Sequence, residues 1–96
     1  LPESATDLDM LVRFMNQHPT LHIEIGGHTD DSGSAQHNKI LSERRADALK
    51  RHLILRGVAA ARIEACGYGA SPPLGDNRQE RGRQLNRRTS VTIVRL

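Results

Sequence analysis

A single cysteine, Cys66, stands among 96 residues, which excludes an internal disulfide and a cysteine-based zinc finger. Its simplest role is that of a small buried hydrophobe. Aromatic residues are almost as scarce, Phe14 and Tyr68 being the only two. Proteins that hold single-stranded nucleic acid stack bases on aromatic platforms, and two rings, one at a helical core spacing, do not build one. Apolar runs extend for only a few residues, against the roughly 20 that a membrane-crossing helix needs. The signatures of common active sites are missing too. There is no HExxH, no GxSxG elbow and no glycine-rich loop ending in GK[ST], and His18 and His22 flank a proline. A metal-dependent hydrolase is therefore disfavoured, although His28, Asp30 and Asp31 share one short segment, and no cofactor is expected.

What is present describes one small domain over residues 1–96: 10.6 kDa, 36% hydrophobic and 26% charged, with too much periodic apolar character for disorder. The net charge is +3, unevenly spread. From Arg78 onward six arginines (Arg78, Arg81, Arg83, Arg87, Arg88 and Arg95) face Glu80 alone. Twelve of the 14 basic residues are arginine, whose planar fork suits carboxylate or phosphate better than a lysine does. An anionic partner fits this end of the chain, and so does a solvated, partly ion-paired surface. Nucleic acid is the rival partner on charge alone.

The apolar periodicity orders the elements. Ser4 and Asp7 resemble a capping box, and Leu8, Leu11, Val12 and Met15 follow at helical spacing up to Pro19. Leu21, Ile23 and Ile25 alternate with polar residues as in a half-buried strand, which Gly26 and Gly27 are expected to end. Residues 28–34 read as a turn-rich loop, with Ser34 capping a long helix that runs to about Arg56. Gly57 and Val58 suit its C-terminal cap. Ile63–Gly67 reads as a second strand, closed by glycines and by Pro72 and Pro73. A short helix is predicted over Gln79–Gln84, then a β-branched strand over Thr89–Val94 with Val91 and Ile93 on one side. This order predicts two helices on one face of a three-stranded sheet, with the first two strands parallel. A thin sheet of this kind suggests a further strand upstream of Leu1. The chain opens on Leu1 without a leader, as expected of a processed product or a piece of a longer protein.

The long helix carries one anomaly. On a helical wheel Arg45 falls between Ala48 and Leu49, inside the apolar stripe. An ion placed there must snorkel, pair with an internal carboxylate or await an anion. The nearest acids by topology are Asp30 and Asp31. Asp30 and Arg45 could thus face a zwitterion, the first taking an ammonium and the second a carboxylate, or they could simply form a structural ion pair.

Four motifs, TDxxG at Thr29 to Gly33, NxxLSxxRA at Asn38 to Ala46, GVxxxRI at Gly57 to Ile63 and GRxxNRR at Gly82 to Arg88, occur in this order over nearly the whole chain. Together they closely resemble the peptidoglycan-binding OmpA-like domain found at the C-terminus of outer-membrane protein A. The resemblance implies an α+β fold, a two-layer α/β sandwich of βαβαββ type. Its mixed sheet has strand order 1-4-2-3 and the last strand antiparallel, and its two main helices lie on one face. By that order the first strand is expected upstream of Leu1, and without it the final strand would have an exposed edge that could recruit another chain, including a homodimer partner.

The same resemblance implies a non-catalytic module that anchors an envelope protein in the Gram-negative periplasm. Its ligand is the diaminopimelate residue of the peptidoglycan stem peptide, clasped in that family by residues that fall here on Asp30 and Arg45. Asn38 and Arg87 fall in the same groove, with Thr29 shaping the loop or adding a hydrogen bond. Arg44 and Arg88 read as surface charges or structural pairs. Any membrane attachment is expected to lie in a part of the parent protein outside this chain, and neither nucleic acid nor metal is expected as a partner.

Overall fold

The structure, a computed structural model, describes residues 5–71 and 73–96. Ser4, expected as a cap, and Pro72, expected in the turn after the second strand, lie outside the described residues. The elements are α1 (Ala5–Gln17), β1 (His22–Gly27), α2 (Ala35–Leu55), a 3-10 turn (Ala60–Arg62), β2 (Ile63–Gly67), α3 (Glu80–Asn86) and β3 (Thr89–Arg95). This is an α+β fold of three helices on a mixed, open sheet of three strands in the order β2-β1-β3. β1 runs parallel to β2, with Ile23 opposite Ile63, and antiparallel to β3, with Ile25 opposite Val91.

The core lies where α1 and α2 meet one face of β1. Leu8 and Met15 from α1, Ile23 and Ile25 from β1, and Ala46, Leu49 and Leu53 from α2 bury together with Leu21, Val58 and Ile63. Both long helices therefore bury their stripes on the same side of the sheet, as expected of a two-layer packing.

The ends of α2 are fixed as the sequence suggests. Ser34 has extended backbone angles, and its Oγ accepts the His37 N–H at 3.1 Å. At the other end the Gly57 and Val58 amides bond the Ile54 and Leu53 carbonyls at 3.0 and 3.1 Å, with Gly57 at φ +98°. That double bond is the Schellman arrangement, and Val58 buries beside Leu53 as the arrangement favours. Arg62 secures α1 from outside. Its guanidinium donates to the carbonyls of Met15, His18 and Leu21 at 2.9, 2.7 and 3.0 Å, supplying charge and donors where a helix end has unpaired acceptors.

Two expectations change. Gly26 and Gly27 do not end β1 but belong to it, paired with Cys66 and Gly67 on one side and with Ser90 and Thr89 on the other. Gly27 is required inside the strand because the backbone of α2 comes down onto the sheet here, while Gly26 faces the side chains of Ser90, Tyr68 and His28 on the other side. A Cβ on Gly27 would overlap the Ser42 carbonyl, and one on Gly67 would strike Ser42 and Glu43. The short helix also starts one residue later than expected and runs two further, so that Asn86 is its last residue.

Val91 and Ile93 do point the same way, toward the side of Ile25 and Ile23, but remain 45% and 52% exposed because α2 covers β1 and β2 rather than β3. Among the described residues β3 pairs with β1 only.

Candidate functional site

The close approach of α2 to Gly27 and Gly67 sets the geometry at one end of the sheet. Its buried stripe there is polar and small, Asn38, Ser42 and Ala46, before becoming aliphatic at Leu49 and Leu53. The loop leaving the C-terminal end of β1 crosses over this polar half. An open pocket of about 260 Å³ results, lined by Thr29, Asp30, Ser32, Gly33, His37, Asn38, Leu41, Arg45 and Arg87. Ligand sites at the carboxyl ends of strands are the common arrangement in sheets with parallel strands and crossover helices.

The five residues singled out from the sequence, Thr29, Asp30, Asn38, Arg45 and Arg87, all line this pocket. Asp30 is buried, 7% exposed, and both of its carboxylate oxygens are engaged. Oδ1 accepts the Ser32 amide at 2.9 Å, and Oδ2 accepts Arg87 Nη1 at 2.5 Å. The Ser32 hydrogen bonds, joined by those from Arg87 and by its charge, outweigh burial and pull the Asp30 pKa down to about 2. The group is therefore a carboxylate at any physiological pH.

Arg45 does not pair with Asp30. Its Nη1 donates to the His28 carbonyl at 3.2 Å, and no carboxylate among the described residues neutralises it. The structural Asp30–Arg45 pair allowed by the sequence is replaced by Asp30–Arg87, because the end of α3 delivers Arg87 directly to the buried carboxylate. A half-buried guanidinium without a counter-ion is left at the pocket wall.

Asn38 works locally: its Nδ2 donates to the Gly33 carbonyl at 3.2 Å and pins the loop to the first turn of α2. Thr29 holds the loop from the other side, its amide donating to the Gly69 carbonyl at 2.7 Å. Its Oγ1 is buried and has no hydrogen-bond partner among the described residues. A buried hydroxyl in that state is costly unless something else satisfies it.

His28 turns to the opposite face of the sheet. Its Nε2 lies 2.9 Å from Ser90 Oγ and its ring stacks on Tyr68, whose hydroxyl donates to Glu24. The closeness of His28 and Asp30 in sequence thus does not make a shared site, and among the described residues no three His, Cys, Asp or Glu side chains are placed to hold a metal ion.

Glu80 went unassigned in the sequence and proves central here. Its Oε2 accepts Arg87 Nη2 at 2.8 Å and its Oε1 accepts Arg83 Nε at 2.9 Å, so Asp30, Arg87, Glu80 and Arg83 alternate in charge along one chain of contacts. The available signal was a lone acid within an arginine-rich run, three and seven residues before its partners. Asn86 was also missed. Fully buried, it accepts the Leu74 and Gly75 amides and donates to the Gly75 carbonyl and Asn77 Oδ1, latching the preceding loop onto α3. Gly82 completes that latch, since a Cβ would collide with Asp76. Most of the GRxxNRR motif is therefore scaffold, and Arg87 is its member in the pocket.

Comparison with known proteins agrees with this architecture. Outer membrane porin F of Pseudomonas fluorescens is 46% identical over 92 residues, covering 96% of this chain and 28% of that protein. The peptidoglycan-associated lipoprotein of Buchnera aphidicola is 34% identical over 87 residues, covering 91% of this chain and 50% of the relative. This chain thus spans half or less of either relative. The crystal structure of the peptidoglycan-associated lipoprotein from Burkholderia pseudomallei superposes with a TM-score of 0.87 at 33% identity, over 92% of this chain and 75% of that one. The C-terminal domain of Helicobacter pylori MotB shares the fold, with a TM-score of 0.79 at 23% identity. The OmpA family model matches residues 1–87, and the chain belongs to the OmpA family.

Proposed function

We propose that this chain is a non-catalytic module that binds peptidoglycan and so holds a larger envelope protein to the cell wall in the periplasm. Two relatives are themselves named peptidoglycan-associated lipoproteins and another an outer membrane porin, which supports both the ligand and the compartment. The observation that carries the reading is one pocket with two opposite and differently committed charges. Asp30 is buried and ionised, while Arg45 lacks a counter-ion among the described residues.

A ligand that suits this pocket presents an ammonium and a carboxylate a few bonds apart. The side-chain end of diaminopimelate in the stem peptide has this form. In our reading Arg45 takes the carboxylate, Asp30 takes the ammonium, and the Thr29 hydroxyl gains the partner it lacks. Asn38 holds the loop that presents Asp30, and Arg87 bounds the pocket opposite α2. Lysine at the same stem position offers the ammonium but no carboxylate, so Arg45 would stay unpaired.

Calorimetric titration with a diaminopimelate-containing stem tetrapeptide, beside its lysine counterpart, tests the reading. Binding of the first with the second at least about tenfold weaker is expected, since a lost charge-assisted contact is worth about 1.4 kcal/mol or more. Equal affinity for the two peptides would overturn the clasp, and absence of binding to both the peptides and isolated sacculi would overturn peptidoglycan binding altogether.

A further inference from the structure

We propose that Glu80 is a positioning residue that draws Arg87 away from Asp30 when a cationic group enters the pocket, and thereby sets how much of the Asp30 charge the ligand meets. The inference rests on the reading that an ammonium binds at Asp30. It starts from a conflict in the geometry. Asp30 has two oxygens, of which Oδ1 is held by the Ser32 amide and Oδ2 by Arg87. The seat an incoming ammonium needs is taken by a guanidinium of the same charge.

Arg87 can leave that seat easily because it is already half-way to another. One amino group is on Asp30 at 2.5 Å and the other on Glu80 at 2.8 Å. Rotation of the planar fork onto both Glu80 oxygens would convert two single contacts to different carboxylates into one bidentate pair, the stronger geometry for arginine. Glu80 has the freedom to receive it, its side chain being 55% exposed against 10% for Asp30. What opposes the move is Arg83, whose Nε occupies Glu80 Oε1 at 2.9 Å and whose Nη1 is anchored on the Asn77 carbonyl at 2.9 Å. Arg83 and Asp30 therefore pull the Glu80–Arg87 pair in opposite directions, and the ligand ammonium decides the balance by its own interaction with Asp30.

This exchange makes predictions of opposite sign. Removing the Glu80 charge leaves Arg87 wholly on Asp30, so Glu80→Gln binds the diaminopimelate tetrapeptide roughly threefold to fivefold more weakly, the range of a partly exposed charge pair. Arg83→Gln frees Glu80 Oε1 for Arg87 and tightens binding. In Glu80→Gln/Arg87→Gln the competitor is gone and the loss seen in Glu80→Gln is recovered. A tetrapeptide acetylated on the side-chain amine does not compete for Asp30, and it binds wild type and Glu80→Gln alike.

Calorimetry on these four proteins with the two peptides tests the proposal. The exchange weakens Glu80→Gln only toward the peptide with a free side-chain amine, whereas a purely structural role for Glu80 in α3 would weaken both peptides alike. Glu80→Gln binding as tightly as wild type, or a double variant as weak as Glu80→Gln, would overturn the exchange. Were Glu80→Gln to lose its helical circular dichroism, the Arg83→Gln arm decides alone, and unchanged or weaker binding there overturns it. If wild type binds neither peptide, the earlier reading fails first and takes this one with it.

Discussion

Arg87 Nη1 lies 2.5 Å from Asp30 Oδ2, while Arg45, only 15 residues from Asp30 along the chain, donates to the His28 carbonyl at 3.2 Å.

 Separation along the chain is thus no guide to the pairing: the partner of Asp30 stands 57 residues away, on the far side of β2. The buried carboxylate is neutralised internally, and the guanidinium inside the helix stripe is left with a carbonyl. An ion held only by a carbonyl dipole retains most of its capacity to bind an anion, so the two arginines differ in what a substitution removes.

Arg45→Ala should leave stability within about 1 kcal/mol of wild type, since it removes one hydrogen bond and no ion pair seen among the described residues. Affinity for the diaminopimelate tetrapeptide should fall by at least about tenfold. Urea denaturation beside calorimetry checks the split, and a large loss of stability would show Arg45 to be a fold residue instead.

Asp30→Asn should do both. It leaves Arg87 without one of its two carboxylates and costs about 1 kcal/mol of stability, a small figure because Arg87 is one-third exposed. Retention on sacculi should drop below that of Arg45→Ala if the ammonium contact dominates. The carboxylate is held near a pKa of about 2, below its ordinary value near 4, so its contribution to stability is complete above about pH 4 and lost as pH falls toward 2. Peptide affinity between pH 5 and pH 7 should accordingly show no Asp30 titration.

Arg62→Met keeps the aliphatic stem and deletes three donations to carbonyls around the end of α1. A loss of about 2 kcal/mol in urea denaturation is expected, with tetrapeptide affinity unchanged for the fraction that is folded. A change in affinity would mean that α1 communicates with the pocket.

His28 should give stability its own pH dependence. Burial, followed by the Arg88 charge, lowers its pKa below the ordinary value near 6.5. The unfolded chain therefore takes up the proton first, and stability present above about pH 6.5 is lost as pH falls through the folded value. The urea midpoint should decline from pH 7.5 to 5.5 in wild type and decline less in His28→Gln; parallel declines would refute the assignment.

Much of the scaffold was legible because periodicity reports burial directly. Leu8 and Met15, Ile23 and Ile25, and Leu49 all lie where their spacing puts them, and Gly57 and Val58 stand at the expected C-terminal cap of α2. The place of Gly27 inside the strand is not legible, since a local turn signal cannot be told from a close helix approach without knowing what packs above it. Arg45 drew attention through its place in the stripe. The Asp30–Arg87–Glu80–Arg83 chain did not, because it depends on where a 7-residue helix comes to rest, and nothing in hydrophobic patterning encodes that position.

Where α2 meets Gly27 and Gly67, main chain rests on main chain. The span between the Asp30 loop and the Arg45 turn is consequently gauged by peptide units and not by the bulk of any side chain. Aliphatic residues deeper in the core, at Leu49, Leu53 or Ile63, can be exchanged for others of similar size without resetting that span, whereas a single methyl group at residue 27 would wedge the two layers apart and widen it.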